Sequence, residues 1–196
     1  MPVNYDTLVL AGGNASRFGG IDKGLLMLKG IPLIEHVISR LIQEPTNLII
    51  SANRNIDTYF NYTKNVVSDR SQLSLGPLSG IGQSQAYMKH DYLFILPCDT
   101  LFCPKGIADK LVANIIETDS EICTVKNHNK VEPLIAVIKK SCLSTVKAFL
   151  DSGKRSVKEW QAKHHCCHYE VINEEYSFLN INTASDLLSA KNLTNY

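Results

Sequence analysis

The 196-residue chain carries 20 Lys and Arg against 19 Asp and Glu, a net charge of +1, with 44% hydrophobic and 20% charged residues. That balance provides no basic field for nucleic acid and no acidic tail for a basic partner, and the length suits one globular domain with a substantial core. No apolar run approaches a membrane span, and Met1-Pro2-Val3-Asn4-Tyr5-Asp6 lacks the basic and apolar segments of a secretion signal, so a soluble cytoplasmic protein is expected.

An apolar run from Thr7 to Leu10 reads as a first buried strand, ending at Ala11. It breaks into a glycine-rich loop through Gly24, followed by the short apolar stretch Leu25–Leu28 and a turn at Gly30-Ile31-Pro32. Pro32 suits a first helical position, and Leu33, Ile34, Val37, Ile38, Leu41 and Ile42 recur at helical spacing to about Glu44, before Pro45. Leu48–Ser51 and Asn65–Ser68 read as strands ending near Asn53 and at Asp69. Gly76-Pro77-Leu78-Ser79-Gly80 opens a helix through about Met88, and Tyr92–Leu96 is a fourth strand ending at Pro97-Cys98-Asp99. In the second half, Lys105 to about Glu117, Ser141–Leu150 and Ser156 to about Lys163 read as helices. Ile122–Val125, Pro133–Ile138 and His168–Ile172 read as strands, and Thr183 or Ser185 caps a last helix. Strands and helices alternate, and the strands are continuous apolar runs, which implies a parallel sheet covered on both faces. Ligands of such sheets bind at the carboxyl ends of the strands, so Gly12, Asn53, Asp69 and Asp99 should collect on one edge.

The six cysteines include no Cys-x-x-Cys, and Cys98, Cys103, Cys123 and Cys142 lie in apolar stretches, as reduced thiols do. His164-His165-Cys166-Cys167-His168 reads as a strand with one polar and one buried face rather than as a zinc site, because adjacent strand residues point to opposite faces.

The chemistry concentrates in the first loop. Gly12, Gly13, Gly19 and Gly20 let backbone N–H groups approach a bulky anion, and Arg17 and Lys23 add two cations. The loop matches neither the Gly-x-x-x-x-Gly-Lys-Ser/Thr phosphate loop nor the Gly-x-Gly-x-x-Gly fingerprint; it reads as a cradle for a triphosphate or pyrophosphate. Asp99 stands where a carboxylate can hold Mg²⁺, or cap the helix that follows Cys103. Asp69 ends a strand and precedes a loop, as a surface turn Asp does, and the Asn53 amide can read a purine edge or sit in a left-handed turn. Asn180 and Asn182 share a strand face, or serve as turn formers before the last helix.

Leu-Ala-Gly-Gly-x-x-x-Arg-x-Gly-Gly-x-Asp-Lys-Gly resembles the signature loop of the molybdenum cofactor guanylyltransferases, the MobA family, which join GMP from GTP to molybdopterin. Gly12 favours this guanylyl branch over sugar nucleotidyltransferases and the molybdopterin cytidylyltransferases, which carry Leu-Ala-Ala-Gly there. Pro97-Cys98-Asp99-Thr100 and Gly76–Gly80 are similar to family segments as well. Phe18 replaces the usual Met, Ser79 replaces Ala, and Val131-Glu132-Pro133-Leu134 stands where members often carry His-Pro-Thr.

The resemblance implies a three-layer Rossmann-like α/β fold of the nucleotide-diphospho-sugar-transferase type, with a mainly parallel sheet in a single domain spanning 1–196. It implies that Leu10, Ala11, Gly12, Gly13, Lys23, Asn53, Asp69 and Asp99 bind GTP, with Asp99 also on Mg²⁺. Lys23, Asp99 and Arg17 would serve catalysis, and Arg17, Gly20, Gly80, Arg155, Asn180 and Asn182 would face molybdopterin. Transient contact with proteins that deliver molybdopterin or mature molybdoenzymes follows from the same resemblance. Two alternatives stand beside it: transfer to another phosphorylated acceptor, such as a sugar phosphate or molybdopterin with a cytidylyl group, and a non-catalytic nucleotide-sensing module.

Overall fold

The computed structural model describes residues 3–12, 14, 15, 20–41, 47–69, 75–171, 178 and 180–193. Its first strand, β1 (Asp6–Leu10), is the centre of the molecule. Two short pairs follow, β2 (Asn14–Ala15) with β3 (Ile21–Asp22) and β4 (Met27–Leu28) with β5 (Ile31–Pro32). The hairpin turn of the second pair puts Lys29 and Gly30 at φ 52° and 79°, the mirror-image turn that matches strand twist. Pro32 therefore ends a strand, and α1 (Leu33–Leu41) starts one residue later than its sequence suggests. The pairing of Met27 with Pro32 decides this, because it holds Pro32 extended until the chain turns.

The remaining elements are β6 (Asn47–Ser51), α2 (Ile56–Tyr59), β7 (Val66–Val67), α3 (Pro77–Ser84), β8 (Tyr92–Pro97) and α4 (Ile107–Thr118), then β9 (Ile122–Asn127), β10 (Lys130–Lys139), α5 (Val146–Asp151), α6 (Val157–Gln161), β11 (Cys166–Val171) and α7 (Ala184–Leu193). The main sheet has the order β11-β9-β10-β8-β1-β6-β7. Only β10 runs against the others, pairing antiparallel with both β8 and β9. A mainly parallel sheet with helices on both faces is the expected architecture.

Side chains alternate across the sheet. Val9, Ile50, Phe94 and Leu96 pack with α1 and α4 on one face. Leu8, Ile49, Leu93 and Ile95 pack with α3, α5 and α6 on the other, where Trp160 is fully buried. Both faces being covered explains why these strands read as continuous apolar runs. Burial of these side chains is the main stabilising term, at about 1.5–3 kcal/mol for each large one. No helix among the described residues is long and apolar enough to cross a membrane.

Several second-half elements depart from their sequence reading. Ser141–Leu150 divides into a 3₁₀ segment, Lys140–Thr145, and α5. Strand β11 begins at Cys166, two residues early, because it pairs in parallel with β9 from Ile122 onward. Pro133 lies inside β10, where the register with β9 shifts between Glu132 and Ala136. A proline has no N–H for the ladder and is tolerated at such an irregularity. The stretch around Asn180 forms a single bridge with Thr100 in place of a strand.

Candidate active site

The carboxyl ends of β1, β6 and β8 open into a cavity of about 440 Å³. Leu10 and Gly12 of the β1 end, Ser51 and Asn53 of the β6 end, and Pro97, Cys98 and Asp99 of the β8 end line it. Asp69 follows β7 on the same wall, and Gly76, Pro77 and Gly80 bring the first turn of α3 to it. Leu134 enters at the irregularity of β10, and Asn180 and Asn182 close the other side beside Lys23. A more open groove of about 800 Å³ between α2, β7 and the 3₁₀ turn Gln85–Tyr87 holds none of the candidate residues.

Lys23 is the junction. Its Nζ donates to Asp99 Oδ2 and, at 2.8 Å, to Asn182 Oδ1. Asp99 is only 6% exposed, so its charge is largely withdrawn from water and depends on that ammonium. The segment carrying Asn182 is held to the β8 end by two hydrogen bonds. Thr100 Oγ1 donates to Asn180 Oδ1 at 2.8 Å, and Ile181 N donates to Asp99 O at 3.3 Å as part of the antiparallel bridge between Thr100 and Asn180. Thr183 then caps α7: its Oγ1 accepts from Asp186 N, and Asp186 Oδ2 accepts from the amides of Asn182 and Thr183 at 2.8 Å. Those amides, the Asn182 one foremost, hold the Asp186 carboxyl below its ordinary value.

The 3₁₀ turn Lys23–Leu25 is itself anchored. Asp22, 6% exposed, accepts from Gly24 N, from Asn55 Nδ2 at 3.2 Å and from the Tyr59 hydroxyl at 2.6 Å. Burial, then the bond to Asp22, raise the Tyr59 pKa far above that of a free phenol, so its proton stays in place as a donor. Arg54 adds a bond from Nη1 to Gly20 O at 3.0 Å. Asn55 and Tyr59 thus tie the lysine turn to the segment after β6. Sequence reasoning missed Asp22, Asn55 and Tyr59; only the adjacency of Asp22 to Lys23 hinted at any of them.

Two glycines are required by close approach. A Cβ on Gly80 would lie 2.1 Å from Ser51 Oγ, so α3 can pack on β6 only with glycine there. A Cβ on Gly24 would lie 2.5 Å from the Tyr59 hydroxyl. On the far wall, Asn53 Oδ1 accepts from Asp69 N at 2.8 Å, and Asp69 Oδ2 accepts from Leu75 N at 3.2 Å. Burial pushes the Cys98 thiol far above its usual range, so this lining sulfur stays a neutral thiol.

The structure therefore brings Leu10, Gly12, Lys23, Asn53, Asp69, Asp99, Gly80, Asn180 and Asn182 around one cavity. Ala11 is buried behind it, donating its N–H to Ser51 O at 2.8 Å, and Gly20 is exposed outside the lining. Arg155 is not brought to the wall: its exposed guanidinium donates to Leu150 O and Lys154 O at 2.7 and 2.6 Å, closing the C-terminal end of α5. Gly13 and Arg17 lie outside the described residues. The donors around Lys23 are hard oxygens, the Asp99 carboxylate and the Asn182 amide, grouped about a cation. That set suits Mg²⁺.

The model of the family described as "MobA-like NTP transferase domain" matches residues 7–167. A molybdenum cofactor guanylyltransferase of Shewanella piezotolerans is 34% identical over 183 residues, covering 93% of this chain and 90% of that protein. The solved structure of molybdopterin-guanine dinucleotide biosynthesis protein A from Archaeoglobus fulgidus superposes with a TM-score of 0.81 at 22% identity, covering 96% of this chain and 98% of that one. The fold alone is shared with 4-diphosphocytidyl-2C-methyl-D-erythritol synthase from Anaerococcus prevotii, at a TM-score of 0.75 and 9% identity, covering 100% and 97%.

Proposed function

The chain belongs to the MobA-like NTP transferase domain family, and we infer from that premise that it transfers GMP from GTP to molybdopterin, releasing pyrophosphate. A phosphate oxygen of molybdopterin attacks the α-phosphorus of GTP, and the bond to the β-phosphate oxygen breaks. Such a transfer asks the protein for positioning and charge stabilisation rather than covalent chemistry. The single observation that carries this reading is the Lys23–Asp99 pair set between the β1 loop and the β8 end, inside the cavity.

The roles follow from the contacts. With no nucleotide, the ammonium of Lys23 neutralises the sheltered carboxylate of Asp99. A triphosphate offers Lys23 a stronger partner, and the lysine turns to it while remaining tethered by its anchored 3₁₀ turn. Asp99 is then available to hold Mg²⁺, with the Asn182 amide oxygen at hand; bound there, the cation would neutralise phosphate oxygens. The amide of Gly12 and the first turn of α3 present N–H groups to phosphate, and the Asn53 side chain is poised for the base. Asn180 and Asn182 lie on the opposite wall, which we assign to molybdopterin. All six cysteines are free thiols, which supports placing the enzyme in the reducing cytoplasm.

The test is the purified protein with Mg²⁺, molybdopterin and each of four nucleoside triphosphates. Formation of the guanine dinucleotide with clear preference for GTP is expected. Equal use of all four nucleotides, or a product with a sugar phosphate but none with molybdopterin, overturns the assignment.

A further inference from the structure

At the opposite edge of the sheet, three potential ligands from distant parts of the chain converge. Glu121 immediately precedes β9, Cys142 lies in the 3₁₀ segment after β10, and His164 follows α6. This edge is the amino-terminal one: Lys139 pairs with Tyr92, the first residue of β8, and donates its N–H to Glu121 O. Cys142 Sγ is 3.8 Å from Glu121 Oε1, and His164 Nδ1 is 3.4 Å from Glu121 Oε2. The three ligand atoms lie within 4.8 Å of one another. Tetrahedral Zn²⁺ with ordinary bond lengths spaces its ligands about 3.3–3.5 Å apart, so the longest separation must close by up to about 1.3 Å, within reach of rotation of the partly exposed Glu121 side chain.

The Thr145 hydroxyl has one proton, and it goes to Cys142 O at 2.8 Å, a carbonyl that can only accept. Its oxygen accepts from Trp160 Nε1 at 2.9 Å and has a second lone pair 3.1 Å from His164 Nε2. An imidazole protonated on Nε2 satisfies that lone pair. In that tautomer the Nδ1 lone pair faces the Glu121 carboxylate, acceptor against acceptor. A cation between them, a metal ion or a proton, relieves that repulsion. The surroundings resemble the outer shell of a metal site: Thr145 orients the ring from its far nitrogen, and His165 N donates to Glu121 Oε2 at 2.9 Å. That amide holds the Glu121 carboxyl below its ordinary value, and hence ionised.

We propose that Glu121, Cys142 and His164 bind a divalent transition metal of the zinc class, with water in the fourth position on the exposed side of Glu121. A thiolate and a carboxylate balance the two charges of the ion, and the soft sulfur selects against Mg²⁺. A bound ion would staple the start of β9 to the segments after β10 and α6, with its fourth position left to water. Burial, then Glu121, push the Cys142 thiol up to about 11, so binding near neutral pH expels its proton. Of the His164–His168 run, only His164 takes part, from outside the strand.

The test starts from protein stripped of metal with a chelator and titrated with Zn²⁺ against a chromophoric competitor, then with Co²⁺ under an absorption spectrometer. Expected are one equivalent bound, one proton released, a thiolate-to-cobalt charge-transfer band, and a raised melting temperature that Mg²⁺ does not reproduce. Cys142→Ser and His164→Gln should each weaken Zn²⁺ binding at least a hundredfold and abolish or shift the band. Thr145→Val, which removes no ligand, should weaken binding about 10–100-fold. Asp99→Asn should retain both affinity and band, which separates this site from the catalytic one. Circular dichroism checks the fold of each variant, and the wild-type cobalt spectrum needs no variant. A wild-type spectrum without the thiolate band, or Zn²⁺ affinity unchanged in a folded Cys142→Ser protein, overturns the proposal and leaves a proton as the cation between His164 and Glu121.

Discussion

The two walls of the cavity are positioned by different means. On the wall we assign to GTP, Gly12, Asn53 and Asp99 each follow a parallel strand, and the register of β1 with β6 and β8 sets their spacing. On the wall we assign to molybdopterin, Asn180 and Asn182 belong to no sheet. They are held by the bridge to Thr100, the Ile181–Asp99 bond and the capped start of α7. A strand end inherits the precision of the whole sheet, whereas a tethered turn is only as exact as its few hydrogen bonds. Lys23 touches both walls, so a change there or at Asp99 should disturb both, and changes further out should separate them.

The largest effect is expected from Asp99→Asn. The amide keeps the shape but loses the charge that faces Lys23 and would hold Mg²⁺. GMP transfer should fall about 10²–10³-fold, on the scale of removing one preorganised electrostatic group. Transfer rates measured across a Mg²⁺ series check this, and near-normal turnover at limiting Mg²⁺ would remove Asp99 from the metal site.

Next comes Lys23→Ala, which deletes the cation shared by both walls. One charge-assisted hydrogen bond is worth about 1.5–3 kcal/mol, so GTP binding should weaken about 10–100-fold. Calorimetry with GTP reads this directly. Affinity within twofold of wild type would show that Lys23 serves only to balance Asp99.

Tyr59→Phe probes the anchor rather than the wall. It takes one donor from the buried Asp22 while leaving Gly24 N and Asn55 in place. Stability should drop by about 1–3 kcal/mol, read by denaturant unfolding. Because Lys23 is the next residue and also reaches Asn182, the KM for GTP should rise more than the KM for molybdopterin. Equal rises in both would mean that the anchor supports the whole cavity.

What could be read from the chain follows the same division. Asn53, Asp69 and Asp99 were legible because each follows an apolar run, and a parallel sheet collects such ends on one edge. Tyr59 gave no signal, since a buried tyrosine in a short helix looks like any core aromatic, and its partner Asp22 is 37 positions away. The Lys23–Asn182 contact spans 159 positions and depends on α7 docking. Leu134 reaches the cavity only because β10 slips register at Pro133, and no periodicity announces which residue such a slip exposes. Arg155 stands out only through the family resemblance and not as a helix terminator, because the carbonyls it serves lie around a turn that sequence spacing does not close.

The smallest effects test the molybdopterin wall itself, through Asn182→Ala and Arg155→Ala. Asn182 lies on the wall and accepts from Lys23, so its loss should weaken both ligands: molybdopterin through a missing amide, GTP through a less constrained lysine. The GTP part should be modest, about 0.5–1.5 kcal/mol for one partly exposed hydrogen bond. Arg155 is different. Its guanidinium serves Leu150 O in the last turn of α5 and Lys154 O just beyond the helix, outside the lining. Arg155→Ala should leave GTP affinity unchanged and lower stability only slightly, since a cation at an exposed helix C-terminus contributes about 0.3–1 kcal/mol. For Arg155 to meet molybdopterin, it must leave Leu150 O and Lys154 O and swing toward the cavity. If it does, Arg155→Ala weakens molybdopterin binding while sparing GTP, and the wall extends to the α5–α6 turn. If calorimetry finds both ligands unaffected, Arg155 is a helix terminator alone and the wall ends at Asn180 and Asn182. If GTP weakens as much as molybdopterin, the assignment of the two walls to two substrates is wrong.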